Sequence, residues 1–442
     1  LASTPPDQPP ADRGQGAAPA RVESVDVLRG FTIFLMVFVN DLGRAAPYWL
    51  HHIQPPDADG MTVADWVFPS FLFIVGVSIP LALERARLAG VPLTRRLAHI
   101  FIRTASLLLM GVIVNDAENE TGRLGPELWE VLTSAAIVLA WCVVPRDGRS
   151  RRPFVALKVI GIVGLVALLA LFRRKPESAE VMYFGRVENW VWLRSSWWGI
   201  LGLVGWAYLT GSLLTLLLGR RREWLAGALG VLILLHLASR PGLFSHFEKK
   251  PWLEPAAPVL HFLSGLVNSI EQYVGLGDAT GSLASITVAG CLLGSILCRG
   301  SDVVTPRERV AWAATFAFGL FAAGFVTDTF EGINKIGSTP TWCLWSAALA
   351  CTLWIGLYLV VDVYRFSGWS LLLRATGANP LVAYFLHPIV VGVIAMLPLA
   401  RSPLAYKDSH DPGTAVAGSL AMALLVCTLA SLLGRLGLRV RL

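Results

Sequence analysis

Apolar stretches of membrane-spanning length recur along this chain, for example from Val310 to Val326, from Trp342 to Val361 and from Ala415 to Leu433. An α-helix needs roughly 17–25 residues to cross the hydrocarbon core. A segment in lipid must satisfy its own backbone hydrogen bonds, and uninterrupted apolar runs lack the alternation of barrel strands, so each run is read as a helix. The expected fold class is all-α, a polytopic transmembrane helix bundle of about 10–12 helices. Helices are expected near 25–42, 65–83, 100–115, 129–144, 155–172, 198–218, 224–239, 282–298, 310–327, 341–362, 377–399 and 414–434. A composition of 55% hydrophobic and 15% charged residues, with a mean hydropathy of +0.60, excludes an ordinary soluble domain.

Loop charge sets the expected sidedness, because short loops rich in Lys and Arg stay on the cytoplasmic side. Arg85, Arg87, Arg95 and Arg96 mark one such loop. Arg146, Arg149, Arg151 and Arg152 mark a second, Arg220–Arg222 a third, and Arg299, Arg307 and Arg309 a fourth. Arg173, Arg174 and Lys175 fall in an outer loop and disagree with the rule; if one helix between 155 and 239 were not a span, the later half would invert. The net charge of +7 is spread over these loops, which points to membrane lipids as partners and not to nucleic acid. Residues 1–20, rich in Pro, Ala and Gly and without an apolar core, are expected to form a disordered cytoplasmic tail with no cleavable signal, ahead of a single transmembrane domain over 21–442. The six cysteines fall in or beside apolar runs and are read as packing residues.

Polar groups at the ends of these helices are the candidates for chemistry. Asp26 and Arg29 stand three apart at the cytoplasmic mouth of the first helix, as a neutralising pair or as an anion contact. Asn40, Asp41, the loop holding His51 and His52, and Gly60–Asp65 form the densest polar cluster beside an apolar segment. A histidine there suits proton transfer, with an acid such as Asp65 fixing its tautomer; the alternative is a solvated loop anchored by interfacial Tyr48 and Trp49. The adjacent pair diverges and no spaced third ligand follows, so no metal is expected. Asp328, Glu331, Asn334 and Lys335 cluster in another outer loop, and His387 follows Gly377-Ala378-Asn379-Pro380 within an apolar helix. A polar side chain inside a membrane helix is a functional candidate or an interhelical hydrogen bond. No P-loop or dinucleotide fingerprint stands in a suitable context.

The stretches VDVLRGFTIFLMVFVN, the His loop and GMTVADWVFPSFLFIVGVSIPLAL, with DATGSLASITVAG (Asp278 to Gly290), Ile333-Asn334-Lys335 and GANPLVAYFLHP, resemble the heparan-α-glucosaminide N-acetyltransferase family and its bacterial relatives over roughly residues 21–435. The resemblance implies a transmembrane acetyltransferase that moves acetyl from cytoplasmic acetyl-CoA, with no metal, to the amine of a glucosamine-type sugar on the far side. It implies a bacterial inner membrane location with the His loop facing the periplasm or exterior. Carried over by position, the family's catalytic histidine corresponds to His52, with His51 as the alternative, acting as a base or as a transient acetyl carrier, with Asp65 and Asn40 beside it. Arg29, Asp26 and Asn379 are expected on the CoA side, and His51, Asn334, Lys335 and His387 on the substrate side.

Two departures bear on the acceptor. Many relatives carry a Trp between the His and the Gly, whereas here the loop from His52 to Gly60 is longer and has none. Many begin the fourth helix with a Gln-Arg pair, and here it reads Glu130-Val131-Leu132-Thr133-Ser134. The helical pair near 198–239, led by Trp190, Trp192, Trp197 and Trp198, is extra to the expected core and could serve a homodimer interface, cover the site or anchor the protein. A transporter of a sugar or acyl-bearing metabolite, and an inactive family member, remain as alternatives.

Overall fold

The computed structural model describes residues 22–441 apart from 117–123, 146–150, 177–182, 188, 195–198, 240–250, 260, 263, 266–273 and 398–402. The tail at 1–20, Arg146, Arg149, Trp197 and Trp198 lie outside the described residues. In chain order the helices are α1 (Glu23–Asn40), α2 (Val63–Leu88), α3 (Leu93–Asn115), α4 (Pro126–Ala140), α5 (Arg151–Leu171), α6 (Ile200–Leu218) and α7 (Arg222–Ser239). They continue with α8 (Leu283–Ile296), entered through a π turn at Asp278–Ser282, and α9 (Pro306–Glu331). The series ends with α10 (Pro340–Leu357), α11 (Leu371–Gly377), α12 (Pro380–Met396) and α13 (Pro412–Arg435). Every one of the twelve segments expected from the apolar runs is helical.

Among the described residues nine helices have the length and hydropathy to cross a membrane, and the bent pair around α11 and α12, broken by 84°, brings the number to as many as ten. The protein is an all-α integral membrane bundle. Helix α1 carries Glu23, Asp26 and Arg29, and α4 has only 15 residues, so neither reaches that standard alone. The only sheet among the described residues is a short hairpin, β1 (Arg186–Val187) with β2 (Trp190–Val191).

Helix starts are set by side chains that satisfy otherwise unpaired N–H groups. At α9, Thr305 and Glu308 form a reciprocal capping box with Pro306 behind them, and Asp411 accepts from Thr414 N–H at α13. The cap of α1 comes from far along the chain: the Asp362 carboxylate accepts from the backbone N–H groups of Glu23 and Ser24, each at 3.0 Å.

At the crossing between α2 and α8, backbone meets backbone. A Cβ added at Gly76 would lie 2.0 Å from the Thr287 carbonyl oxygen, one at Gly290 2.0 Å from that of Phe73, and one at Gly294 2.4 Å from that of Val77. Gly290 and Gly294 form a GxxxG pair, the spacing that lets two helices approach closely in lipid. Gly290→Leu is therefore expected to push α2 away and abolish recovery of a monodisperse protein from detergent. Gly164→Leu, at a site where an added Cβ meets nothing within 4 Å, should elute as the wild type does.

Arg174, whose position disagreed with the loop-charge pattern, is not a free loop cation. Its guanidinium pairs with Asp116 at the end of α3, and both side chains are almost wholly buried, 2% and 1% exposed. Asp116 also accepts from the Arg194 backbone N–H at 2.8 Å, and Arg174 N–H bonds to the Val191 carbonyl at 3.1 Å. The pair ties α3, the chain after α5 and the hairpin into one cap. All six cysteines are buried.

Candidate active site

Two polar regions sit at opposite ends of the α1–α2 pair. At one end, where α1 finishes and α2 begins, Asp65 occupies the first turn of α2 and accepts from the Thr62 backbone N–H at 3.2 Å and hydroxyl at 3.0 Å. That is the usual work of an acid three residues into a helix. The same carboxylate accepts from the Ile53 N–H at 3.0 Å and from His52 Nδ1 at 2.7 Å. With Asp65 buried and accepting at Nδ1, the imidazole proton resides there and Nε2 is left as the base. The His52 side chain is 44% exposed, so the imidazole is reachable by a substrate.

Lys335 completes this group from the loop between α9 and α10. Its Nζ lies 3.0 Å from His52 Nδ1, 3.4 Å from His52 Nε2 and 3.6 Å from the Asp65 carboxylate. Burial pulls the Lys335 ammonium below its ordinary value, with Asp65 opposing the shift. As pH rises Lys335 therefore loses its proton before an ordinary lysine does. An amine-directed acetylating reagent should label it at a lower pH than exposed Lys175, a difference read by peptide mass mapping with Lys335→Arg as the control.

The two loops that meet here are fastened by Asn334 and Asp59. Asn334 Nδ2 donates to the carbonyls of Pro56 at 3.0 Å and Ala58 at 3.2 Å, and its Oδ1 accepts from Gly337 N–H at 2.6 Å. Asp59 accepts from Ile333 N–H at 2.7 Å, while Gly60 N–H donates to the Ile333 carbonyl at 2.8 Å. The Asn334 carboxamide is thus committed to holding the loop that presents His52. The carbonyl of His51 accepts from the Thr62 hydroxyl, and its ring Nε2 is buried without a hydrogen-bond partner among the described residues, so of the two histidines His52 has the partner a base needs. Asn40 is exposed at the end of α1, and no hydrogen bond joins it to His52 among the described residues.

His387 belongs to a neighbouring cluster around Asp41. The Asp41 carboxylate, fully buried, faces His387 Nε2 at 3.3 Å, Lys407 Nζ at 2.7 Å and the Tyr406 hydroxyl. Burial alone would raise the Asp41 carboxyl, and the hydrogen bonds from His387, Lys407 and Tyr406 outweigh it, so its value lies below the ordinary one. Asp41 was visible in the sequence only as one polar residue beside Asn40. Tyr406 and Lys407 carried no signal, because their role depends on a loop returning to the end of α1.

At the other end, a cavity of about 830 Å³ opens between α1, α2, the α11–α12 break and α13. Arg29, Arg85, Arg435, Arg439 and Arg441 line it, against the single carboxylate of Asp26. Arg29 is held by Asp26 at 3.1 Å, the Ser78 hydroxyl at 2.6 Å and the Gly377 carbonyl at 3.4 Å. Asn379 lines the cavity too, but its amide is used on the chain after α13, donating to the Leu438 carbonyl at 2.9 Å and accepting from Val440 N–H at 3.2 Å. That places Arg439 and Arg441 at the cavity and makes Asn379 a positioning residue. Arginine forks are suited to phosphate oxygens, so the lining fits a large, multiply phosphorylated ligand.

The fold and these two regions define a polytopic membrane protein with a histidine–carboxylate pair at one end of the bundle and a basic cavity at the other. Residues 21–218 match a family described as a domain of unknown function, DUF5009. The chain is 39% identical over 124 residues to the human heparan-alpha-glucosaminide N-acetyltransferase, a match covering 28% of this chain and 18% of that protein. It is 38% identical over 110 residues to the mouse protein of that name, covering 25% of this chain and 16% of that one. The matched stretches thus span less than a fifth of these relatives, and over them the resemblance read from the sequence holds.

Proposed function

We propose that this protein is a transmembrane N-acetyltransferase that moves acetyl from acetyl-CoA to the amine of a glucosamine-type sugar. The observation that carries the reading is the combination of a partnered, accessible histidine base at one end of α2 with an arginine-lined cavity at the other. Asp65 and Ser78 are separated by about 20 Å of helical rise, a span a long, flexible acyl carrier must cover between phosphate site and base. Arg29, Arg85, Arg435, Arg439 and Arg441 would hold the phosphates of the donor. By the loop-charge rule that end is cytoplasmic and His52 faces the opposite side, as in a bacterial inner membrane protein.

In this reading His52 Nε2 takes a proton from the sugar amine as its nitrogen attacks the thioester carbonyl. The new C–N bond forms as the C–S bond breaks, and the departing thiolate takes the proton back from the His52 imidazolium and leaves as the thiol. Asp65 holds the imidazole in the reactive tautomer and stabilises the imidazolium, and the nearby Lys335 ammonium suits the developing oxyanion. The longer, Trp-free loop after His52 shapes the acceptor pocket and points to an acceptor other than the sugar named for the mammalian relatives. The test is transfer of radiolabel from acetyl-CoA to a panel of amino sugars by purified protein in liposomes. Label on a sugar amine supports the reading; sugar uptake into the liposomes without any acetyl-CoA requirement overturns it in favour of transport.

A further inference from the structure

A second, smaller cavity at the arginine end lies outside the proposed reaction. It sits between α2, α3 and α6, has a volume of about 110 Å³, and is lined by Ser78, Arg96, His99, Arg103, Tyr208 and Ser212 among apolar neighbours. Arg96, His99 and Arg103 follow one another at intervals of three and four residues, which puts them on one face of α3. Arg103 lies well inside an apolar span, where an ionisable side chain is costly and marks a functional site by default. Helical side chains lean toward the N-terminus, here toward the arginine end, and the Arg103 guanidinium rests on the Tyr208 ring at 4.5 Å from its centroid.

Three polar atoms in this lining are buried with no hydrogen-bond partner among the described residues: Nε of Arg96, Nε of Arg103 and Oγ of Ser212. Ser212 is itself only 1% exposed. Buried polar groups are normally paired, so a set of unpaired donors around one cavity calls for a ligand rich in acceptors. No carboxylate lines this cavity, and the acid lining the adjoining one, Glu84, is already engaged by Arg220 at 2.8 Å and by the Arg299 N–H at 3.0 Å. Phe101 and Ile102, exposed on α3 beside these residues, place the cavity at the lipid-facing flank of the bundle.

We propose that this cavity binds a phosphate group, that of an anionic phospholipid, between Arg96 and Arg103 with Ser212 as a further donor. The phosphate supplies acceptors for the unpaired donors and offsets the cationic lining, while the acyl chains run along the exposed apolar face of α3. Ser78 and Ala82 line both this cavity and the larger one, so the lipid would pack against the same stretch of α2 that holds Arg29.

Native mass spectrometry of the detergent-purified chain tests this with phosphatidylglycerol, phosphatidylcholine of the same acyl chains, inorganic phosphate and acetyl-CoA. Phosphatidylglycerol should bind at least about tenfold more tightly than phosphatidylcholine. The pair Arg96→Gln and Arg103→Gln should remove about tenfold or more of that affinity, the effect of losing charge-assisted hydrogen bonds. Arg103→Lys alone, which keeps the charge, should retain the preference for the anionic lipid and so separates a lost site from a lost fold. Equal binding of the two lipids, or undiminished phosphatidylglycerol binding by a double variant that unfolds at the wild-type temperature, overturns the site. Complete displacement of the lipid by inorganic phosphate or by acetyl-CoA overturns the lipid assignment and gives the cavity to a soluble phosphate.

Discussion

Purified His52→Ala protein is expected to transfer acetyl about a hundred- to ten-thousand-fold more slowly than wild type, the range over which a positioned general base contributes. His52 is half-exposed and is bonded to a buried carboxylate, whereas His51 has no such partner among the described residues, so His51→Ala should lose far less. Asp65→Asn keeps the shape of the side chain but can leave the imidazole in the wrong tautomer, and should fall close to His52→Ala. Because Asp65 also receives the Thr62 N–H at the start of α2, its variant needs an unfolding midpoint beside the rate, whereas His52→Ala should unfold as wild type does. Full transfer by His52→Ala would remove the assigned base and return the histidine loop to a structural role.

Asp116→Ala is expected to cost about 3–5 kcal/mol of stability, since removing one partner of a buried ion pair leaves the other charge uncompensated. The partner left behind, Arg174, is 2% exposed and cannot turn to water without opening the cap over α3, α5 and the hairpin. Arg174→Ala should be similarly damaging, while Asp116→Leu combined with Arg174→Met should cost much less than the two single losses summed. Thermal unfolding midpoints of the singles and the double in one detergent measure this. Additive losses in the double would show that the two side chains act separately.

The helices were legible because lipid leaves a spanning segment no alternative backbone structure. All twelve apolar runs became helices, and the uncertainty that remained was whether α1 and α4, one charged and one short, have the apolar length of true spans. Arg174 misled for a definable reason. Loop-charge counting treats every cation as solvated, and this one is buried against an acid nearly sixty positions away in sequence. The α2–α8 crossing was equally hidden, although GxxxG stood in plain view at Gly290–Gly294, because the motif names one face and not its partner.

Of the site, His52 and Asp65 could be read as a base and its orienting acid, and Lys335 fell near them once the loops were docked. Asn334 and Asn379 drew attention as polar residues, and their work proves to be holding chain in place: one fixes the histidine loop, the other the segment carrying Arg439 and Arg441. The cavity arginines came from three separate places in the chain, so no local pattern could assemble them. Asp41, His387, Tyr406 and Lys407 meet only because the chain between α12 and α13 returns to the end of α1.

The 84° break between α11 and α12 leaves two helix ends near the arginine-lined cavity. The carboxyl end of α11 is answered by Arg29, which donates to the Gly377 carbonyl. The amino end of α12 carries roughly half an elementary positive charge, a contribution from the peptide backbone that no side-chain substitution deletes and no pH change titrates. Anion binding there should consequently keep a floor: progressive neutralisation of Arg85, Arg435, Arg439 and Arg441 would flatten its salt dependence without taking it to zero.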